Sequence, residues 1–517
     1  MNKPRGGKGS VEINGLISKA NIFYRIRPMK ATQPSLWMGM MDSTLYPGMG
    51  LRERLCAALR GAMRGGTLPQ GTRLPATRVL AHDLALSRVT VEAAYTQLEA
   101  EGYLQRHTGK GTFVTVHTAA VERLEPKVAY RVTPPAQLSQ RGQNMVDTGG
   151  CMEPLQLQAF AAGSPDLRAF PHTLWRQLTS RRLRQSHEAL MRYGDPQGRE
   201  DLREAIAQYL VTSRGVRCTA ANVLVLTSSQ QALQLLSALL LDPGDRVWLE
   251  DPGYRGARTA FITNGAMLVP MPVDAQGMVA DFASPAPKLI YLTPTHQYPT
   301  GHTLSLQRRM ALVDYAKREG CWVVEDDYDS EFLYDSRPVP SLQGLDNAGR
   351  TIYVGTFSKT LFPSLRIAYA VLPDTLLHPM VTTRSVYDGH VAQLAQAVTA
   401  DFMAQGHFTA HLRLMRQLYR SRRDLLLELI QKRLPWAQPL NAVGGLQLSV
   451  TLPPNTEMHL TRKARERGIA TPSLSSLHIG TPHNEGWLLG FAALQPGEIT
   501  EAVETLSKLK LPNLASS

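Results

Sequence analysis

The chain has 517 residues, 43% of them hydrophobic, enough to bury a large core and to hold two or three domains. No apolar run approaches the ~18 residues of a membrane span, and the first forty residues lack the apolar centre of a secretory signal. The four cysteines, Cys56, Cys151, Cys218 and Cys321, show no CxxC spacing, so neither a zinc site nor a disulfide framework is indicated. A cytoplasmic protein with free thiols and no bound metal is expected. The net charge of +13 is uneven: residues 1–116 carry +9 of it. That asymmetry suits a polyanion near the amino terminus, although a solvated basic tail would look the same on charge alone.

Residues 1–50 bear Gly, Lys and Arg without sustained periodicity and read as a disordered basic tail, with Met38, Met40 and Met41 as alternative starts to Met1. From Leu51 a helical period begins: Leu51, Leu55, Ala58, Leu59 and Ala62 form one apolar face, ended by Gly65-Gly66. Residues 75–84 read as a short second helix. Ser87 caps a third, with Val91, Ala94, Tyr95 and Leu98 as its buried face. Gly102 ends it, and residues 104–107 and 112–116 are strands joined by Thr108-Gly109-Lys110-Gly111. Two short helices joined by a tight turn, with Arg88, Val89 and Thr90 exposed at the start of the second, suit entry of a helix amino terminus into the DNA major groove, with the hairpin as a wing. A three-helix bundle used only for protein contact is the alternative.

Residues 117–157, with Pro126, Pro134-Pro135 and Gly149-Gly150, read as a linker. From residue 158 to 511 apolar strands alternate with amphipathic helices: 223–226 then 230–241, followed by strands at 246–249, 288–293 and 321–325. This predicts an α/β domain with a mainly parallel central sheet and its ligand at the strand carboxyl ends.

The chemistry-bearing residues fall in strand-to-helix turns. The backbone N–H groups of Thr227-Ser228-Ser229-Gln230 and the helix dipole behind them suit a phosphate. Asp326 ends a strand where a carboxylate can hold a pyridinium nitrogen protonated. Tyr328 can then bond the ring's phenolic oxygen, and Tyr254 can stack on a flat heterocycle. In Thr356-Phe357-Ser358-Lys359-Thr360 a lysine stands among hydroxyl residues after an apolar strand, with Arg366 seven positions on. That pattern suits a Schiff-base lysine beside a phosphate and implies pyridoxal phosphate as the cofactor. Taken singly, each of these is more often a solvated turn, a surface charge or plain core.

Residues 73–78, Ser87-Arg88-Val89-Thr90-Val91 and Gly109-Lys110-Gly111-Thr112-Phe113-Val114 resemble the winged helix-turn-helix domain of the GntR family, over residues 51–116. The resemblance makes Arg78, Ser87, Arg88, Thr90 and Lys110 DNA-contacting candidates, with Arg78 and Lys110 reaching phosphate and Arg88 a base edge. Residues 158–511 resemble fold-type I pyridoxal-phosphate enzymes of the aminotransferase class. By that resemblance Lys359 forms the internal aldimine, Asp326 pairs with the ring nitrogen, Tyr328 bonds the phenolic oxygen and Tyr254 stacks on the ring. Ser229, Gln230, Ser358 and Arg366 take the phosphate. Tyr193 matches a tyrosine that reaches the partner subunit's phosphate, which implies a homodimer. The combination resembles the MocR/GabR group of transcriptional regulators. It implies paired DNA half-sites and a cofactor-bearing domain that senses a small-molecule effector.

This sequence departs from the aminotransferase pattern at two positions. Tyr298 replaces the Asn before the Pro-x-Gly turn, and Leu488 stands where an arginine would clamp the substrate carboxylate. Burying a carboxylate against leucine costs on the order of several kcal/mol, so little or no transaminase turnover is expected. The effector is then pyridoxal phosphate itself, or an amine whose acid group meets Arg255 or Arg258. A working aminotransferase with an accessory DNA-binding domain, and a scaffold that binds neither ligand, are the competing readings.

Overall fold

The computed structural model describes residues 41, 48–115, 137–150, 158–185, 187–334 and 339–512. It divides into two compact units, residues 1–135 and 136–517. Most of the expected basic tail, with Met38 and Met40, lies outside the described residues, as do residue 116 and much of the expected linker.

The amino-terminal unit contains the helices Leu51–Arg64, Thr77–Asp83 and Arg88–Ala100 and a three-stranded antiparallel sheet. Its strands are β1 (Arg73–Leu74), β2 (Leu104–His107) and β3 (Gly111–Val114), in the order β1-β3-β2. The helical period and the cap explain the core: Leu55 and Leu59 of the first helix meet Val91, Ala94, Tyr95 and Leu98 of the third, closed by Leu104 and Val114 of the wing. Each such leucine or valine taken out of water contributes about 1.5–3 kcal/mol. Ser87 Oγ accepts from Thr90 N at 3.1 Å and starts the third helix where its hydroxyl predicted. Leu51 departs from its expected place in the apolar face. It is the first residue of its helix and is 53% exposed.

The large unit is built on an eight-stranded sheet ordered β4-β11-β10-β9-β8-β5-β6-β7. The strands are β4 (Val223–Leu226), β5 (Arg246–Asp251), β6 (Met267–Asp274), β7 (Gly277–Met278), β8 (Leu289–Leu292), β9 (Trp322–Asp327), β10 (Thr351–Thr356) and β11 (Ala368–Val371). Neighbours from β10 through β6 are parallel, whereas β11 is antiparallel to both β10 and β4. Strand β4 therefore runs with the majority. The carboxyl ends of β4, β5, β8, β9 and β10 share one edge with the amino end of β11, where ligands of such sheets bind.

Both faces of the sheet are covered, so β4, β8 and β10 are buried throughout and read as unbroken apolar runs. On one face Leu224, Ile352 and Val354 meet Leu233, Leu236 and Phe261 of the helices Ser229–Leu240 and Arg255–Thr263. On the other, Val225 and Tyr353 join Ile206, Leu210 and Phe408. A second sheet of β12 (Gln438–Pro439), β13 (Gln447–Thr451) and β14 (Gly486–Gly490) is antiparallel. The chain at Phe160 and Ala161 lies against β14 so closely that a Cβ on Gly490 would stand 2.0 Å from Ala161 O. Within the stretch expected to be linker, Gln140–Asp147 is a helix capped by Ser139 and packed on Arg255–Thr263. It buries no residue, so no apolar period announces it.

Candidate functional site

Lys359 follows β10 at the carboxyl edge. Its Nζ donates to Gly163 O at 2.8 Å. Gly163 has φ +73°, and a Cβ on it would stand 2.8 Å from that Nζ, so a glycine is required for the contact. Asp326 is the penultimate residue of β9, beside Val354 of β10. Its Oδ2 accepts from the Tyr291 hydroxyl of β8 at 2.7 Å, while Oδ1 is buried without a hydrogen-bond partner among the described residues. Burial pushes the Asp326 carboxyl up to about 7, against the Tyr291 hydrogen bond, which acts to lower it. Asp327, one residue on and on the opposite face, takes Arg214 Nε at 2.9 Å instead.

Tyr328 lies with its hydroxyl 3.0 Å from His296 Nδ1, and the same nitrogen is 3.0 Å from Asp329 Oδ1. Burial alone would depress the His296 imidazole, but the Asp329 carboxylate, by charge and hydrogen bond, holds it above its ordinary value. Gly445 makes room for the ring, since a Cβ there would lie 2.2 Å from His296 Cε1. Three tyrosines line one rim: Tyr254 meets Tyr298 edge-on at 5.8 Å, and Tyr298 meets Tyr328 edge-on at 6.1 Å. Tyr298 thus puts an aromatic ring where an asparagine was expected.

At the amino end of Ser229–Leu240, Ser228 Oγ accepts from Gln231 N at 3.1 Å. The first N–H groups of a helix have no carbonyl partner within it, which leaves those of Ser229 and Gln230 for a ligand. The Gln230 side chain donates through Nε2 to Gly256 O at 2.9 Å. Thr356 Oγ1 donates to Ser358 Oγ at 3.1 Å. Arg366 is exposed, with φ +54°, two residues before β11. Tyr193 is 98% exposed and packs edge-on against His390. Leu488 is fully buried in β14 opposite Ser449. Arg255 is exposed, and Arg258 Nη1 donates to His478 O at 3.0 Å.

In the amino-terminal unit Arg78, Arg88 and Lys110 are exposed, as is Val89 beside Arg88 at the helix start. The Ser87 and Thr90 hydroxyls lie 2.8 Å apart and bond each other. Arg73 was not singled out from sequence. Its Nε lies 2.8 Å from where a Cβ on Gly111 (φ +113°) would stand, so the glycine lets the guanidinium rest on the base of the wing. Sequence reasoning also missed Tyr291, His296, Asp329 and Gly163, which are brought in by the tertiary fold.

Residues 159–506 match the family of class I and II aminotransferases, and residues 51–114 match the bacterial regulatory proteins of the gntR family. The chain is 38% identical to a protein of Rhizobium meliloti described as a probable rhizopine catabolism regulatory protein MocR, over 88% of this chain and 93% of that one. It is 29% identical to the HTH-type pyridoxine biosynthesis transcriptional regulator PdxR of Corynebacterium glutamicum, over 85% of this chain and 91% of that one. Among solved structures, the multiple substrate aminotransferase of Thermococcus profundus superposes with a TM-score of 0.65 at 25% identity, covering 72% of this chain and 96% of that one. LysN, the alpha-aminoadipate aminotransferase of Thermus thermophilus, complexed with N-(5'-phosphopyridoxyl)-L-leucine, gives 0.64 at 27% identity, covering 72% and 94%. The chain belongs to the GntR-family helix-turn-helix transcriptional regulators that carry an aminotransferase class I and II domain.

Proposed function

We propose that the large domain holds pyridoxal phosphate at Lys359, and that the state of this site sets the grip of the winged helix on DNA. The observation that carries the reading is Asp326 Oδ1, a buried carboxylate oxygen without a partner among the described residues, near the carboxyl end of β9. A buried orphan acceptor costs about 1–3 kcal/mol, and a pyridinium N–H would satisfy it. When bound, the cofactor would supply an electrophilic carbonyl for amines and a ring that accepts electrons.

The chain's own groups divide the remaining work. Gly163 O holds Lys359 Nζ at the edge of the sheet, and Asp326 keeps a proton on the ring nitrogen. The His296–Asp329 pair fixes the Tyr328 hydroxyl, which meets the phenolic oxygen. Tyr254 stacks on the ring, while Ser358, Arg366 and the N–H groups of Ser229 and Gln230 take the phosphate. Tyr193 serves a partner subunit's phosphate. Its exposure, beside the exposed Met191 (80%), supports a homodimer. Arg78, Lys110 and Arg73 meet phosphates, and Arg88 a base edge, with one half-site for each protomer.

A buried Leu488 leaves a substrate carboxylate uncompensated, which supports a sensor with little transaminase turnover. The curated relative named for pyridoxine biosynthesis and the neighbour solved with a phosphopyridoxyl ligand support the cofactor. The test is to mix the purified protein with pyridoxal phosphate, treat it with borohydride and map the modified peptide. A bound-cofactor absorbance and a modified Lys359 are expected, and both vanish in Lys359→Ala. An unmodified Lys359 in the wild type would overturn the reading.

A further inference from the structure

Gln447, the first residue of β13, lies opposite Gly490 of β14 and is only 6% exposed. Its Oε1 is buried and has no hydrogen-bond partner among the described residues. A point fixed by the backbone locates this oxygen. A Cβ built on Gly163 would stand 2.8 Å from Lys359 Nζ and 3.7 Å from Gln447 Oε1. The amide oxygen and the lysine amine therefore flank the same spot beneath Gly163. An apolar side chain would fill a buried sheet position without leaving an acceptor unsatisfied, at about 1–3 kcal/mol less cost.

We infer that Gln447 reads the effector, and that the effector is a primary amine carrying an uncharged hydrogen-bond donor, a hydroxyl or an amide, in place of a carboxylate. This rests on the reading of Lys359 as the cofactor lysine. The ligand's nitrogen goes to the Lys359 side of the site, and its second polar group meets the amide two strand positions from Ser449, the residue paired with Leu488. A carboxylate offers no donor to Oε1 and accepts only from Nε2, and neither the neutral amide nor the aliphatic Leu488 compensates its charge. A plain alkylamine leaves Oε1 unpaired, so the site discriminates against both extremes, as sites built to bond a polar group do.

The test uses the full-length, cofactor-loaded protein and reads the bound-cofactor absorbance during titration. The probes are glucamine for hydroxyls, glycinamide for an amide, n-hexylamine for neither and L-alanine for a carboxylate. In the wild type, glucamine or glycinamide is expected to half-saturate at least tenfold below n-hexylamine and L-alanine. In Gln447→Leu, and in the closer-volume Gln447→Met should the first fold poorly, the advantage is expected to disappear while the unliganded spectrum stays unchanged. A loaded wild type that prefers L-alanine or n-hexylamine, or responds to no probe, would overturn this inference alone, as would a Gln447 variant with undiminished preference. Absence of any bound-cofactor absorbance in the wild type would overturn the cofactor reading and this inference with it.

Discussion

Replacing Asp326 by Asn separates what this residue does for the fold from what it does for a ligand. Burial holds its carboxyl at about 7, against ~3.9 in an unfolded chain. An acid with a folded value above its unfolded one destabilises the fold. The cost is absent below about pH 4, grows as pH rises to about 7 and is constant above. A gap of about three units corresponds to about 4 kcal/mol at pH 8 and about 1 kcal/mol at pH 4.5, as an order of magnitude. Asn keeps an acceptor for the Tyr291 hydroxyl, and its Nδ2 replaces one unpartnered atom by another, so mainly the charge contribution changes. The cofactor-free variant should therefore melt several degrees above wild type at pH 8, with the difference shrinking towards pH 4.5. Added pyridoxal phosphate should stabilise wild type more than the variant, because only the carboxylate holds a ring proton. Calorimetry at the two pH values, with and without cofactor, checks this. A variant that melts at or below wild type at pH 8, or an equal cofactor response in both, would refute the reasoning.

Cofactor affinity in wild type should itself fall as pH rises above about 7, because the pair then takes up a proton on binding; a spectroscopic titration between pH 6 and 9 reads this. Arg88→Ala should weaken binding to the preferred DNA site by roughly 1–3 kcal/mol, whereas Lys110→Ala should weaken all sequences alike and lower the salt slope by about one, as measured by fluorescence anisotropy. Gly163→Ala should keep the fold at a cost of about 1–2 kcal/mol for its left-handed backbone. Its Cβ, 2.8 Å from Lys359 Nζ, should displace that amine and reduce borohydride-trapped cofactor.

Where the physics is local, the sequence was sufficient. Val91, Ala94, Tyr95 and Leu98 are buried as a 3.6-residue period requires, and Ser87 caps because its hydroxyl reaches Thr90 N. Strands such as Val223–Leu226 were legible because a sheet covered on both faces demands an apolar run. Such a run has no direction, so the antiparallel β11 was not foreseen. Strand β1 has two residues, too few for any period, and exists only because β3 pairs with it. Lys359, Asp326 and Tyr328 stood out as polar residues in strand-end turns. Their partners did not, because Tyr291 lies 35 residues from Asp326 and Gly163 lies 196 from Lys359, and only the folded sheet brings them together.

The central claim is that the cofactor site and the DNA-binding unit are coupled, and the most direct measurement is affinity for the protein's preferred DNA site, selected from a random-sequence pool, with and without saturating pyridoxal phosphate. Coupling of about 1–3 kcal/mol predicts a change of roughly 5- to 150-fold in the wild type and none in Lys359→Ala. Equal affinity in wild type with and without a cofactor shown to be bound would contradict the account.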